Sequence, residues 1–281
     1  MTVIDQLKKV QQQAGVAIHP CLGTDMLAYS NVKAFVETCR EILFPGYFGD
    51  PLRTNHNIEE YLETRLARIR KMLAELSLAS FCFHCVDSSV TPCGNKQKVV
   101  GMVDNFLQAL PAINALLLDD VAALEKIDPS ATSKSEVIFA YPGLRAMISQ
   151  RIAHQLLEQG VPLLPRMISE MAHRDTGIDI HPATQIGKCF AIDHGTGTVI
   201  GSTAIIGNNV TIYQGVTLGA KKFATDATGK ALDIPRHPIL EDNVTVYAGA
   251  KLMGRITIGH DSIIGSNVWL KEDVPPHSKI V

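Results

Sequence analysis

Strong net charge is the first thing this chain lacks. Its 26 Lys and Arg stand against 28 Asp and Glu, a formal charge of −2 over 281 residues. No basic field is available to neutralise the phosphates of a nucleic acid, and no polybasic segment stands beside an amphipathic helix to meet anionic lipid. Aromatic residues are scarce too, at 6% with a single Trp. Unbroken apolar runs are missing: the most apolar helical stretch, Val99 to Leu118, is cut by Asp104, Asn105 and Pro111, short of the roughly 20 residues that a membrane span requires. Met1 to Pro20 carries Asp5, Lys8 and Lys9 where a signal peptide needs an apolar core, so a soluble cytoplasmic protein is expected. Six cysteines in a chain of this length suit reduced thiols better than a disulfide framework. Cys82, Cys85 and Cys93, with His84, have partial zinc spacing but no second ligand pair. They read as small core residues.

What is present divides near residue 178 into two periodicities. Before it, Ile58, Leu62, Leu66, Ile69, Leu73 and Leu76 recur at three and four residues, the apolar face of a helix that Asn57 and Glu60 would cap. A second helical pattern runs from Val99 through Val103, Phe106 and Leu110 to Pro111. A third runs from Leu144 to Leu156, with Gly160 as its terminator. After residue 178 an aliphatic residue returns every sixth position: Ile180, Ile186, Ile192, then Ile200, Ile206, Ile212, Leu218, then Leu240, Val246, Leu252, Ile258, Ile264 and Leu270. No α-helix has that period. It is the hexapeptide repeat of a parallel β-helix, in which three short strands make one coil and stacked coils bury a common aliphatic column. The scarcity of rings follows, because narrow coils have little room for them. The expected fold class is therefore α+β: an α-helical domain over 1–175, then a left-handed parallel β-helix over 176–281.

Two gaps break the repeat, between Ile192 and Ile200 and between Leu218 and Leu240. Residues in excess of the repeat must bulge from the coil, and such insertions commonly form the binding face. The first holds Asp193-His194-Gly195-Thr196-Gly197; the second ends in Arg236-His237. Asp179 and His194 lie slightly less than one coil apart, so the coil returns them to neighbouring positions. A neutral imidazole is the side chain best suited to take a proton near pH 7, and a carboxylate on its second nitrogen would fix the tautomer and stabilise the imidazolium. The same residues could equally be polar members of turns. Arg236 could grip a carboxylate through two parallel hydrogen bonds or form a rim salt bridge, and Asp193 could hold an ammonium or serve a turn. His181, His260 and His277 also lie on or beside coils, where some hexapeptide proteins bind zinc. They show no close paired spacing, and no metal is expected.

The residues then resemble a known family. Asp179-Ile180-His181-Pro182, Asp193-His194-Gly195-Thr196-Gly197, Arg236-His237-Pro238, Ala248-Gly249-Ala250-Lys251 and Val274-Pro275-Pro276-His277, in that order and preceded by Asp128-Pro129, resemble the motifs of serine O-acetyltransferase. The resemblance covers about residues 120 to 277. It implies that His194 takes the proton from the serine hydroxyl with Asp179 orienting it. Asp193 and Asp128 would hold the serine ammonium, and Arg236 and His237 its carboxylate. It also implies acetyl-CoA as co-substrate near Gly219, Ala248 and Gly249, direct transfer without a metal or covalent intermediate, and a homotrimer or dimer of trimers. Three departures stand out. Gly195 replaces the family's Ala, Ile234-Pro235 replaces Gly-Asp, and the 219–236 loop is long. The resemblance makes cysteine synthase a possible partner, an expectation that the short C-terminus weakens. The rival expectations are an acyltransferase acting on a sugar or another amine, and a non-enzymatic trimeric scaffold.

Overall fold

The structure is a computed structural model that describes residues 2–13, 27–50, 58–84, 96–222, 224–229, 232 and 234–281. Among the described residues seven helices come first: α1 (Val3–Gln13), α2 (Tyr29–Leu43), α3 (Ile58–His84), α4 (Lys96–Ile127), α5 (Lys134–Ala140), α6 (Pro142–Glu158) and α7 (Leu164–Thr176). Of the periodic residues of α3, Ile69, Leu73 and Leu76 are buried and Leu62 and Leu66 half-buried, whereas Ile58, in the first turn with Glu59 and Glu60, is exposed. Its cap candidate Asn57 lies outside the described residues, as do Cys85, Cys93 and the side chain of His84. Cys82 is buried, as a small core residue would be. Pro142 starts α6, where its missing N–H is no loss, and Gly160 follows the helix at φ +75, the left-handed conformation that glycine adopts without strain.

The helix expected to stop at Pro111 does not stop. α4 runs through it, because Leu110, Ile113, Leu117, Val121 and Leu124 are buried in one continuous core and together outweigh the one hydrogen bond that proline removes. The uninterrupted helix also corrects the reading of its apolarity: Gln97–Ile127 is long and apolar enough to cross a membrane. In this structure it packs instead against α3, α5, α6 and the coil.

Fourteen short strands follow among the described residues, all paired in parallel, in three walls. The first wall stacks β1 (Asp179–Ile180), β4 (Val199–Ile200), β7 (Thr217–Gly219), β10 (Lys251–Met253) and β13 (Trp269–Leu270). The second stacks β2 (Gln185–Ile186), β5 (Ile205–Ile206), β8 (Ile239–Leu240) and β11 (Thr257–Ile258). The third stacks β3 (Ala191–Asp193), β6 (Thr211–Tyr213), β9 (Thr245–Val246), β12 (Ile263–Ile264) and β14 (Lys279–Ile280). The fold is a left-handed β-helix of hexapeptide repeats. Each of the thirteen repeat aliphatics falls on its own strand. All are buried except Ile186 and Leu270, which are half-buried.

Both insertions leave the stacking intact. Val199 pairs with Thr217, the eighteen-residue step of a plain coil. Asp179 pairs with Val199, two residues further on than that step. Across the second insertion Thr217 still pairs with Lys251, so the extra residues leave the wall entirely. They close on themselves through Leu232 N–H to the Ala224 carbonyl, 2.8 Å, around a turn held by Asp226.

Helices α6 and α7 cover the open first coil, whose backbone would otherwise be a bare sheet edge. Gln150 donates to the Thr184 carbonyl (3.0 Å), Arg151 to the Gly187 carbonyl (2.9 Å), and Ser169 to the Ile180 carbonyl; His154 Nδ1 lies 2.8 Å from the Pro182 carbonyl. Arg151 also pairs with Asp120 of α4 at 2.8 Å, and Asp120 accepts the Phe190 N–H at 2.9 Å. Burial pushes the Asp120 carboxyl up, and the two bonds from Arg151 oppose that push.

Candidate active site

The first insertion forms a corner between the third wall and the first. In later coils this corner needs one left-handed residue, at Gly215, Gly249 and Asn267, whereas here His194 and Gly195 are left-handed as well, at φ +55 and +82. Gly195 is required twice over: a Cβ would also fall 2.4 Å from Ile178 Cδ1. The sharp reversal puts the His194 side chain outside the prism, 71% exposed, with Nε2 3.9 Å from Asp193 Oδ2.

Asp128 comes to the same corner from the end of α4. Its Oδ1 accepts Ser130 N–H (2.8 Å) and Ser130 Oγ–H (2.7 Å), and its Oδ2 accepts the Tyr141 hydroxyl. These bonds, with a smaller contribution from His194, hold the Asp128 carboxyl below the usual range, while the Tyr141 phenol rises to about 12. Tyr213 pairs in register with Asp193, stacks on Tyr247 with ring centroids 5.0 Å apart, and is pushed up by burial and by Asp193 and Asp128. Asp128, Asp193 and His194 therefore form one group: two carboxylates beside an exposed imidazole.

Arg236 and His237 belong to the opposite edge of the first wall, where it turns into the second. Arg236 N–H and His237 N–H both donate to Thr203 Oγ1, at 2.8 and 3.0 Å. His237 Nδ1 in turn accepts Thr203 N–H at 3.1 Å and lies 2.9 Å from Thr203 Oγ1. A backbone N–H can only donate, so Nδ1 is the unprotonated nitrogen and the ring proton sits on Nε2. The ring lies over Gly201, where a Cβ would come within 2.1 Å of it. Burial, then Arg236, His181 and Arg255, lower the His237 pKa to about 4. At neutral pH His237 is an uncharged hydrogen-bond donor.

Asp179 begins β1, one register step from Val199, and its N–H donates to the Thr198 carbonyl at 2.9 Å. Its backbone thus adjoins the corner that carries His194. Yet its carboxylate is not within 4.0 Å of the His194 ring; among the described residues Asp193 is the acid that reaches that ring. Asp179 acts instead on His181, where it opposes the lowering of that ring's pKa by burial, Arg166 and Arg236. Of the remaining candidates, Gly219 ends β7 on the Arg236 edge, and Ala248 and Gly249 sit at the His194 edge. Every candidate on the coil therefore lies along one or other edge of the same wall.

His260, Asp261 and His277 do gather, with potential ligand atoms within 4.8 Å of one another. Hydrogen bonds account for this, since Asn209 donates to Asn243, Asn243 to Asp261, and His260 Nδ1 lies 2.7 Å from Asp261. This ladder climbs a third corner, away from His181. Sequence reasoning missed Thr203, Ser130, Tyr141 and Tyr213. Only Thr203 carried a signal, standing three places after a repeat aliphatic, at the corner.

Residues 237–272 match the family model described as bacterial transferase hexapeptide (six repeats). The plasmid serine acetyltransferase of Synechococcus elongatus is 45% identical over 245 residues, covering 86% of this chain and 77% of that protein. The chain belongs to the serine acetyltransferase family. Among solved serine acetyltransferases, Entamoeba histolytica serine acetyltransferase 1 in complex with L-cysteine is 34% identical, with TM-score 0.76 over 88% of this chain and 85% of that one. Soybean serine acetyltransferase complexed with serine is 28% identical, with TM-score 0.57 over 91% and 95%.

Proposed function

We propose that this serine acetyltransferase transfers the acetyl group of acetyl-CoA to the hydroxyl of L-serine, giving O-acetyl-L-serine and CoA for cysteine synthesis in the cytoplasm. The observation that carries the reading is the pair of carboxylates, Asp128 and Asp193, beside the exposed His194 imidazole. An amino acid's ammonium fits between the acids, which leaves its hydroxyl at the ring. The imidazole takes the hydroxyl proton as the oxygen attacks the thioester carbonyl, then returns a proton to the departing CoA sulfur. The acyl donor is already activated, so direct transfer needs neither metal nor acyl-enzyme. Arg236 and the Nε2–H of His237 bind the serine carboxylate.

These groups lie on opposite edges of one wall, so a single chain does not close the site. Residues 1–175 and 176–281 act as a helical unit and a coil unit, and three chains associate through their first walls. The His194 edge of one chain then meets the Arg236 edge of the next. Asp179 and His194 form their pair across that boundary, and acetyl-CoA runs along it past Gly219, Ala248 and Gly249. Exposed Val199 and Trp269 on the first wall, at 39% and 60%, support such an association.

The test is thioester loss with L-serine and acetyl-CoA. The wild-type chain should turn over and His194→Ala should be slower by about 10²–10⁴. Undiminished turnover in that variant rejects the role of His194. Acetylation of an amino sugar that is indifferent to Arg236→Ala rejects serine as the acceptor.

A further inference from the structure

His181 takes no part in the proposed reaction, yet it stands close enough to the His237 ring to act on it electrostatically. Ile180 pairs with Ile200, His181 N–H donates to the Ile200 carbonyl (3.0 Å), and Gly201 N–H donates to the Leu218 carbonyl (3.1 Å). His181, Gly201 and Gly219 thus follow one another up the outer face of the first wall, one strand spacing apart, about 4.8 Å. Gly201 contributes no side chain, and its slot is filled by the ring of His237. The two imidazoles are consecutive rungs.

They are also held alike. His181 Nδ1 accepts Ala183 N–H at 3.1 Å, as His237 Nδ1 accepts Thr203 N–H at 3.1 Å. In each neutral ring the proton therefore sits on Nε2, which has no hydrogen-bond partner among the described residues. Burial, Arg166 and Arg236 lower the His181 pKa, against the pull of Asp179 and Glu170. Two neutral donors on consecutive rungs of one wall, both close to the Arg236 guanidinium, suit an anion with more than two acceptor sites. A carboxylate has about four.

We infer that His181 is a further binding residue for the acceptor, its Nε2–H donating to the same carboxylate that Arg236 and His237 hold. The inference rests on the proposal that those two residues bind that carboxylate. Its test compares His181→Ala, His181→Gln, His181→Asn and Arg236→Ala in the full chain. L-serine and ethanolamine, which lacks the carboxylate, serve as acceptors; where ethanolamine turns over too slowly, its inhibition constant against serine is read instead.

A hydrogen bond to a charged group is worth about 1.5–3 kcal/mol, so His181→Ala should raise the serine KM by about 10- to 100-fold. The KM for acetyl-CoA and the ethanolamine constants should stay at wild-type values. Gln, whose amide nitrogen reaches the Nε2 position, should recover most of the loss, and the shorter Asn should not. Wild-type serine KM in His181→Ala overturns the inference. So does an equal loss toward ethanolamine, which marks a merely structural role. The underlying proposal fails in a different way, through an unchanged serine KM in Arg236→Ala.

Discussion

At the scale of single residues, His237 shows how local packing decides a chemical role that residue type leaves open. A histidine beside an arginine suggests a pair of cations. Burial under Arg255 and over Gly201, with Thr203 filling Nδ1, makes it a neutral donor instead. Its pKa of about 4 lies below the ordinary histidine value of 6.5. Between those values the unfolded chain binds a proton that the folded chain refuses, so stability from this group is complete above about pH 6.5 and is lost as pH falls toward 4. Melting temperatures measured across that window should fall with pH, and His237→Gln should show the shallower decline. Gly201→Ala should push the ring from its slot and raise the serine KM at least about tenfold with the fold retained; an unchanged KM would mean that the ring's position is immaterial. Much of the candidate site is legible in the sequence, because His194, Asp193, Arg236 and His237 stand in or at the end of insertions that the repeat exposes. Ser130 and Tyr141 were not readable, since nothing in a lone serine or tyrosine tells which carboxylate it will meet.

At the scale of elements, the coil was legible because a six-residue period has one structural solution, and each repeat aliphatic marks a strand. Strand partners across the second insertion followed as well, since the wall closes as though the loop were absent. The helices were less legible. Pro111 signals a stop by its own chemistry, and only the buried face on both sides of it, invisible in a local window, carries α4 through. Nor does the pattern reveal the clamp between helices and coil. Arg151 and Asp120 are 5% and 0% exposed and thirty-one residues apart. Asp120→Asn leaves the guanidinium buried with a weaker partner, so it should cost about 3–5 kcal/mol in denaturant unfolding, with Asp120→Leu/Arg151→Met recovering part of the loss. A cost near zero would show that the pair contributes only surface electrostatics.

At the scale of the whole molecule, the candidate residues divide between two edges of one wall: His194, Asp193 and Asp128 at one, Arg236 and His237 at the other. Spacing alone could not show this division, because sequence separation gives the stacking step but not which corner a side chain leaves from. In the proposed trimer each site is completed by a neighbouring chain. Co-expression of His194→Ala and Arg236→Ala chains tests it most directly, since each mixed trimer then contains one boundary where an intact His194 faces an intact Arg236. With random assembly about three quarters of trimers are mixed and each has one site in three restored, so the pool should recover about a quarter of wild-type activity. Activity no higher than that of either variant alone would contradict the account and return the whole site to a single chain.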